Sequence, residues 1–411
     1  MTFYISDFKT IRPRYSANQD ATLQWLTHAH EQSARNAAGG TESNSNSKSN
    51  ISRRIHHYAC SSRYIESRGF EIDDATHENW DEMKIFSFKE GPEGSSLGKR
   101  MEFFQKRVRE VFSDLYQTDL YPLHTPPPRE LLHVSCTGYV SPSPAQELVE
   151  KMGWGANSRV THLYHMGCYA SFPALRTACA YLCLPEALAN ANMDSSQFVD
   201  VVHTELCTLH MNPSLNDPEQ LVVQTLFADG HIKYSIFKSE GNTAGQHSEA
   251  TLPNIPCLEI LALKEKIIPN TQNDMTWTIG EKNFKMSLSR SVPEKISFEA
   301  LKFLERLAET IGFRFNDLRE EAVFAIHPGG PRIIDQVQTL LGVRENQIAH
   351  SRETLRKYGN MSSATLPHIW KNIVEDSNCP SGKLIFSLAF GPGLTISGGL
   401  FKKVATRNSG R

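Results

Sequence analysis

The feature that most constrains the fold is a repeated alternation of apolar segments with two different periods. In the first half of the chain, the strand-like segments VTHLYHM and FVDVVHTEL flank the helix-like segment ASFPALRTACAYLCLPEAL. In the second half, the amphipathic segment SFEALKFLERLAETIG precedes the apolar run EAVFAI. Such alternation predicts an α/β fold in which helices cover a sheet. Because both halves follow this pattern, we expect a fold made of two similar halves.

The length supports this division. A chain of 411 residues exceeds what one simple core usually accommodates. The polar, glycine-containing stretch between the last strand of one half and the first of the next lacks any pattern, so we predict halves at 1–238 and 253–411. Residues 39–50, GGTESNSNSKSN, are almost wholly small and polar, and they predict a flexible surface loop.

Charge and cysteine content restrict the partners and the compartment. Lys and Arg number 43 against 45 for Asp and Glu, so no long-range field favours nucleic acid or an anionic membrane. The N-terminus lacks the apolar core of a signal peptide, and no apolar run is long enough to span a membrane. Eight scattered cysteines without a secretion signal predict free thiols, which indicates a cytoplasmic protein.

One cysteine lies in a sequence context that favours reactivity. In HMGCYAS, Gly167 allows the backbone to bend between a strand and a helix, which places Cys168 at the helix N-terminus. The helix dipole there is expected to lower the thiol pKa. Two other interpretations stay open from the residues alone: a buried structural thiol, or a zinc ligand together with His162 and His165.

Two further segments combine a polar side chain with a tight turn. His327 follows the apolar run AVFAI and precedes PGG, which places it at a strand end where loops often carry catalytic groups. Asn360 lies between Gly359 and MSSA, at a turn into a helix. The alternatives are a histidine satisfied in the core and an asparagine chosen for turn geometry.

Taken in order, these segments resemble chalcone synthase-like type III polyketide synthases, and the sequence is more similar to bacterial-type members than to plant ones. The resemblance rests on the GC pair at 167–168, on HPGGPRIIDQ at 327–336, on YGNMSSA at 358–364 and on AFGPGLT at 389–395. It extends through TELCTLHMNPS and LFADG, covers about Leu131 to Val404 and is poor over the first hundred residues. It implies a thiolase-like, five-layered αβαβα fold.

The resemblance also implies an acyltransferase mechanism and its partners. The Cys168 thiolate, paired with His327 as imidazolium, would attack an acyl-CoA starter, and His327 and Asn360 would stabilise malonyl-CoA as CO2 leaves. No metal or nicotinamide cofactor is implied, since the CoA thioesters are substrates. The family is homodimeric, and we expect the same here, with neither nucleic acid nor stable membrane insertion.

The family pattern further nominates residues around the substrate. A family gatekeeper phenylalanine before Pro-Ser is replaced here, so Leu209 or His210 would occupy its place. The other residues expected to line the substrate cavity are Cys136, Thr137, Phe284, Ser362 and Gly393. Those expected to bind CoA are Arg53, Arg54, Gly329 and Gly330.

The similarity favours a fatty acyl starter and an alkylresorcinol or alkylpyrone product of secondary metabolism. Two alternatives stay open. A ketoacyl-synthase-III-like or thiolase-like enzyme of fatty acid metabolism would use the same cysteine with carrier-protein substrates and would catalyse one condensation. A non-catalytic, dimeric acyl-binding scaffold would keep the fold without acylation of Cys168.

Overall fold

The structure, a computed structural model, describes residues 1–39, 45–117, 126–185, 198–239 and 255–405. Within these ranges the strands are β1 (Thr2–Ile11), β2 (Tyr15–Asn18), β3 (Ser67–Phe70), β4 (Glu130–Ser135), β5 (Arg159–Tyr164), β6 (Phe198–Leu206), β7 (Asp229–Ser239), β8 (Cys257–Ile267), β9 (Met275–Ile279), β10 (Phe284–Leu288), β11 (Val323–Ile326), β12 (Leu384–Gly391) and β13 (Thr395–Val404). The α-helices are α1 (Gln19–Ala37), α2 (Ser45–Tyr58), α3 (Leu97–Leu115), α4 (Pro144–Lys151), α5 (Ser171–Cys183), α6 (Pro218–Leu226), α7 (Val292–Glu309), α8 (Phe315–Arg319), α9 (Pro331–Leu341), α10 (Glu345–Tyr358) and α11 (Thr365–Glu375).

Nine strands form one continuous hydrogen-bonded order, β11-β12-β13-β8-β1-β7-β6-β4-β5. The strands of the first half occupy one side of this order and those of the second half the other. The two sides meet where β1 pairs antiparallel with β8. Within each side, parallel pairs (β4 with β5 and β6, β11 with β12) are followed by antiparallel ones. The predicted α/β architecture with two similar halves is therefore present.

The helices form three layers around the strands. Helices α5 and α11 pack between the two sides of the sheet, since their apolar residues share one core with strands of both halves. Helices α1, α3 and α4 cover the outer face of the first half, and α7, α9 and α10 cover that of the second. Strand alternation explains this: Leu132 and Val134 face the central layer, whereas Leu131 faces the outer helices. The result is a five-layered αβαβα arrangement.

Local sequence signals were sufficient for several of these elements. Helix α4 begins after Ser143, whose side chain accepts from the Gln146 backbone N–H in a capping box. Strand β6 has the predicted bounds. Helix α5, expected through Leu188, ends at Cys183, because Pro185 disfavours a helical conformation for Leu184. Residues 186–188 of that prediction lie outside the described residues.

The prediction of a loop over 39–50 is wrong from residue 45 onward, where α2 begins. The helix forms because Ile55 packs with Leu23 of α1 and Leu221 of α6, and tertiary packing can stabilise a helix whose first turns are polar. Residues 40–44 lie outside the described residues. So does nearly all of the segment between 238 and 253, so the division into halves there stays a prediction. No helix in the described ranges is long and apolar enough to cross a membrane.

Candidate active site

Cys168 occupies a sharp bend between β5 and α5. Gly167 has φ 82°, a conformation that favours glycine, and a Cβ added there would lie 2.6 Å from Cδ of Pro392. The bend places Cys168 in the turn that leads into α5, with 7% of its surface exposed. This geometry agrees with the strand-to-helix bend that the sequence HMGCYAS predicts.

The electrostatics of Cys168 differ from the expectation. Burial raises the pKa of the thiol to about 12, and the nearby polar side chains of Ser362 and Asn360 offset only part of this effect. The Cys168 thiol donates to Oγ of Ser362 at 3.9 Å. Desolvation disfavours the charged form of a buried thiol and here outweighs the helix N-terminus. Burial therefore disfavours the thiolate form of Cys168.

His327 lies immediately after β11. Its backbone N–H donates to the carbonyl of Leu388 at 2.8 Å, which fixes the residue against β12. Its side chain is buried, and neither ring nitrogen has a hydrogen-bond partner among the described residues. Burial lowers the pKa of His327 to about 3. Burial thus favours the neutral imidazole over the expected imidazolium, and both ring nitrogens are available to a substrate.

Asn360 follows α10 through Gly359, whose φ is 70°. Its side-chain Oδ1 accepts a hydrogen bond from the backbone N–H of Ser362 at 2.9 Å, which fixes the orientation of the side-chain amide. The amide nitrogen Nδ2 is buried and has no partner within the described ranges. An unsatisfied buried N–H donor is costly unless a ligand accepts from it.

These three residues line one outer cavity of about 610 Å³. The fold brings them together from three elements: the β5–α5 bend, the end of β11 and the end of α10. A histidine, an amide and a thiol that converge on one cavity form a typical constellation for covalent acyl transfer with stabilisation of a developing oxyanion.

A second, inner cavity of about 40 Å³ lies beyond Cys168. Of the residues nominated from the sequence, it is lined by Cys136, Thr137, His210, Phe284 and Ser362. Leu209 instead packs in the core between α3 and β6. Gly393 does not line the cavity, but its neighbour Pro392 does.

His210 and Phe284 close the inner cavity together. Their rings stack with centroids 4.2 Å apart at an angle of 10°. His210 Nε2 donates to the Thr137 carbonyl at 2.8 Å, and Nδ1 accepts from the Phe284 N–H at 3.0 Å. Burial lowers the pKa of His210 to about 3, so the ring is neutral. His210 therefore anchors β10 and is not placed to act as a proton donor at neutral pH.

Phe227 is one of the cavity-lining residues that sequence reasoning missed, and it contacts the backbone of a candidate catalytic residue. It borders both cavities and forms a backbone bridge with Asn360. It is the phenylalanine of LFADG, a segment already included in the family resemblance, so the signal was present. What the sequence did not show was that the end of α6 meets Asn360.

The basic residues nominated for CoA lie elsewhere. Arg54 donates to the carbonyl of Asn216, and neither it nor Arg53 lines the outer cavity. Gly329 and Gly330 do line it, with the exposed Arg290 and Arg332. Neither of these two guanidinium groups has an ion-pair partner in the part of the chain that the structure describes.

The zinc interpretation of His162, His165 and Cys168 does not fit the structure. His162 Nε2 hydrogen-bonds to Oγ of Ser143 and His165 Nε2 to the Trp277 carbonyl, so the three side chains have different partners. Among the described residues, no group of three or more His, Cys, Asp or Glu side chains is arranged to hold a metal ion.

Comparisons with known proteins show which sequences and folds this chain resembles. A family model, "Chalcone and stilbene synthases, C-terminal domain", matches residues 259–405. The chain is 27% identical over 276 residues, 67% of its length, to "Probable polyketide synthase 1" of Dictyostelium discoideum, of which the match covers 8%. It is 29% identical over 278 residues, again 67% of its length, to "Type III polyketide synthase 21" of Oryza sativa subsp. japonica, of which 66% is covered. The matched segment thus spans less than two thirds of each of these relatives.

Among solved structures, the C-terminal type III polyketide synthase domain of a type I/III hybrid from Dictyostelium superposes with a TM-score of 0.76 at 21% identity, covering 98% of this chain and 100% of that one. This likeness shows that the fold is the predicted thiolase-like one. Residues 259–405 match the chalcone and stilbene synthase C-terminal domain, and the chain is similar to type III polyketide synthases over about two thirds of its length.

Proposed function

We propose that this protein is a type III polyketide synthase that loads an acyl group from acyl-CoA onto Cys168 and extends it with malonyl-CoA. The observation that carries the proposal is the convergence of Cys168, His327 and Asn360 on one cavity, where both ring nitrogens of His327 and the amide nitrogen of Asn360 are buried and have no hydrogen-bond partner among the described residues. Buried unsatisfied groups of this kind are typical of sites whose partner is the substrate.

Loading begins from a neutral pair. The Cys168 sulfur attacks the thioester carbonyl of the starter while its proton passes to the neutral His327 ring. The tetrahedral intermediate collapses, the C–S bond to CoA breaks, and His327 returns the proton to the leaving CoA thiolate. The acyl group then remains on Cys168. This order avoids a free thiolate in a site whose burial disfavours it.

Extension uses the same donors on a second substrate. Nδ2 of Asn360 and a ring N–H of His327 hydrogen-bond to the thioester oxygen of malonyl-CoA, where negative charge develops as CO2 leaves. The resulting enolate carbon attacks the Cys168-bound acyl carbon, and the Cys168 sulfur leaves. The lengthened chain, now on CoA, can return to Cys168 for another cycle. No further cofactor takes part in this scheme.

The product we propose is an alkylpyrone or an alkylresorcinol. The small inner cavity, about 40 Å³, favours the pyrone, because a pyrone ring can close on a shorter chain than a resorcinol ring. A fatty acyl starter must then extend into the larger outer cavity or displace the stacked His210 and Phe284.

The remaining parts of the proposal concern CoA recognition and assembly. Arg290 and Arg332, at the exposed part of the outer cavity, are suited to bind the phosphates of CoA. A homodimer is consistent with β5, which is the terminal strand of the sheet order. All eight cysteines are free, which fits a cytoplasmic location.

The test is intact-mass spectrometry after incubation with a panel of acyl-CoAs, followed by malonyl-CoA and product analysis. We expect a single acyl adduct that is lost in Cys168→Ala and retained in Cys379→Ala, a buried thiol remote from both cavities. Acylation only from carrier-protein thioesters would favour the ketoacyl-synthase-III-like alternative. No adduct from either donor class would favour the non-catalytic scaffold.

A further inference from the structure

Arg68, on β3, is a fully buried guanidinium outside both cavities. Burial lowers its pKa to about 10, so the group is charged at neutral pH. A buried charge is stabilised by hydrogen bonds from its N–H groups; Nε and Nη1 of Arg68 have acceptors, whereas Nη2 has none among the described residues. The partners of Arg68 therefore indicate what it stabilises.

Two of its three hydrogen bonds go to carbonyl oxygens at the C-terminal end of α6, and the third goes to the side chain of Gln19 on α1. Nη1 donates to the carbonyls of Gln224 at 2.8 Å and Phe227 at 2.7 Å. Nε donates to Oε1 of Gln19 at 2.9 Å, and Gln19 Nε2 in turn donates to the Thr225 carbonyl at 2.8 Å. The last carbonyls of a helix have no partner within the helix, and a cation there is favourable. Arg68 thus caps α6 and fixes the chain at Phe227.

The chain at Phe227 is also the support on which Asn360 rests. The Asn360 N–H donates to the Leu226 carbonyl at 3.1 Å, and the Ala228 N–H donates to the Asn360 carbonyl at 2.8 Å. A Cβ on Gly359 would lie 3.1 Å from both Cγ of Arg68 and the Leu226 carbonyl oxygen. The turn that carries Asn360 therefore packs on the Arg68 side chain and on the helix end that it caps.

We propose that Arg68 is a positioning residue for the Asn360 amide and the Phe227 ring, acting through the C-terminal end of α6. The inference rests on the proposed function, in which Asn360 stabilises charge during decarboxylation. Cys168 and His327 are held by other elements, namely the β5–α5 bend and the contact of His327 with β12. Loss of the Arg68 cap is thus expected to impair decarboxylation and to leave acylation of Cys168 largely intact.

The test uses Arg68→Lys, which keeps the charge but cannot bridge two carbonyls and a side-chain amide with one planar group. We expect the rate of malonyl-CoA decarboxylation to fall about tenfold or more, because even a small displacement of a group that stabilises the transition state lowers the reaction rate. The rate of Cys168 acylation by a starter should change less than about threefold. In an Asn360→Ala background, Arg68→Lys should lower decarboxylation no further.

Arg107→Lys is the matched control. Arg107 is another buried arginine, but it pairs with Glu71 and Glu110 and is not hydrogen-bonded to the end of α6. Arg107→Lys should lower thermal stability, but it should not lower the rate of malonyl-CoA decarboxylation more than the rate of Cys168 acylation. Equal losses of acylation and decarboxylation in Arg68→Lys, or additive losses with Asn360→Ala, would overturn the proposal.

The proposed function can fail separately. If the wild type neither acylates Cys168 nor decarboxylates malonyl-CoA, that function is wrong, and a crystal structure of Arg68→Lys still tests the positioning. Displacement of Phe227 and loss of the Asn360–Leu226 hydrogen bond would support the role of Arg68. An unchanged turn would overturn it.

Discussion

At the scale of single residues, burial decides the protonation states of the site. Burial disfavours the charged forms of both Cys168 and His327, because each is almost fully removed from water. The sequence indicated the candidate nucleophile, Cys168, but gave the wrong direction for the shift of its pKa. A helix N-terminus can be recognised from local residues, whereas desolvation depends on which distant segments cover the thiol. The site therefore favours proton transfer coupled to attack over a preformed ion pair.

A second residue-scale prediction concerns His210. His210→Ala removes the ring that stacks on Phe284 and should enlarge the inner cavity, so that products carry additional malonyl-derived units from the same starter. His210→Phe is the control, because it keeps the aromatic volume and should preserve product length although both hydrogen bonds are lost. Product mass spectra across several starters provide the measurement. An unchanged distribution of chain lengths in His210→Ala would contradict this assignment.

At the scale of elements, the outer cavity is bordered by the β10–α7 turn and the first turn of α9, which carry Arg290 and Arg332. Replacing both by alanine should raise KM for acyl-CoA by about threefold to tenfold with little change in kcat, since exposed charge-assisted contacts are individually modest. The corresponding acyl-pantetheine thioester, which lacks the nucleotide, should show no such change. Arg53→Ala and Arg54→Ala serve as controls off the cavity. The same KM increase with both thioesters would show that the arginines do not contact the nucleotide.

The elements also show how far sequence patterns extend. Helix α4 and strand β6 were predictable because the capping residue and the apolar alternation are local. Helix α2 was missed because its stability comes from contacts of Ile55 with α1 and α6. Phe227 was missed for a similar reason: its role follows from a bridge to Asn360, which is remote in sequence. The candidate catalytic residues could be predicted from the sequence because each lies in a glycine-containing motif.

At the scale of the whole molecule, buried neutral histidines predict sensitivity to acid. Burial lowers the pKa of His133, His203, His210 and His327 to about 3, and those of His30 and His368 to about 4, from an ordinary value of 6.5. Between pH 6.5 and 4 the unfolded chain therefore binds more protons than the folded one, so stability falls as pH falls, by at most about 1.4 kcal/mol per pH unit for each histidine.

Three buried carboxyl groups with raised pKa values act in the opposite direction, namely Asp229, Glu130 and Glu205. Because the histidines outnumber them in this pH window, we expect the urea midpoint to be lower at pH 5 than at pH 7.5. Equilibrium denaturation at the two pH values, followed by intrinsic fluorescence, measures the difference. An equal or higher midpoint at pH 5 would show that the carboxyl groups dominate.

The β9–β10 hairpin has a consequence for how such a protein can diversify. In the described sheets, the strands of this hairpin pair only with each other. Hydrogen bonds that involve side chains connect it to the rest of the molecule: Asn283 Nδ2 donates to the His210 carbonyl, the Phe284 N–H donates to His210 Nδ1, and the Trp277 indole donates to the Cys136 carbonyl at 2.6 Å. Its residues can therefore change without breaking the pairing of the nine-stranded sheet. The hairpin is an exchangeable module, through which the shape of the inner cavity can evolve while the core and the candidate catalytic residues stay unchanged.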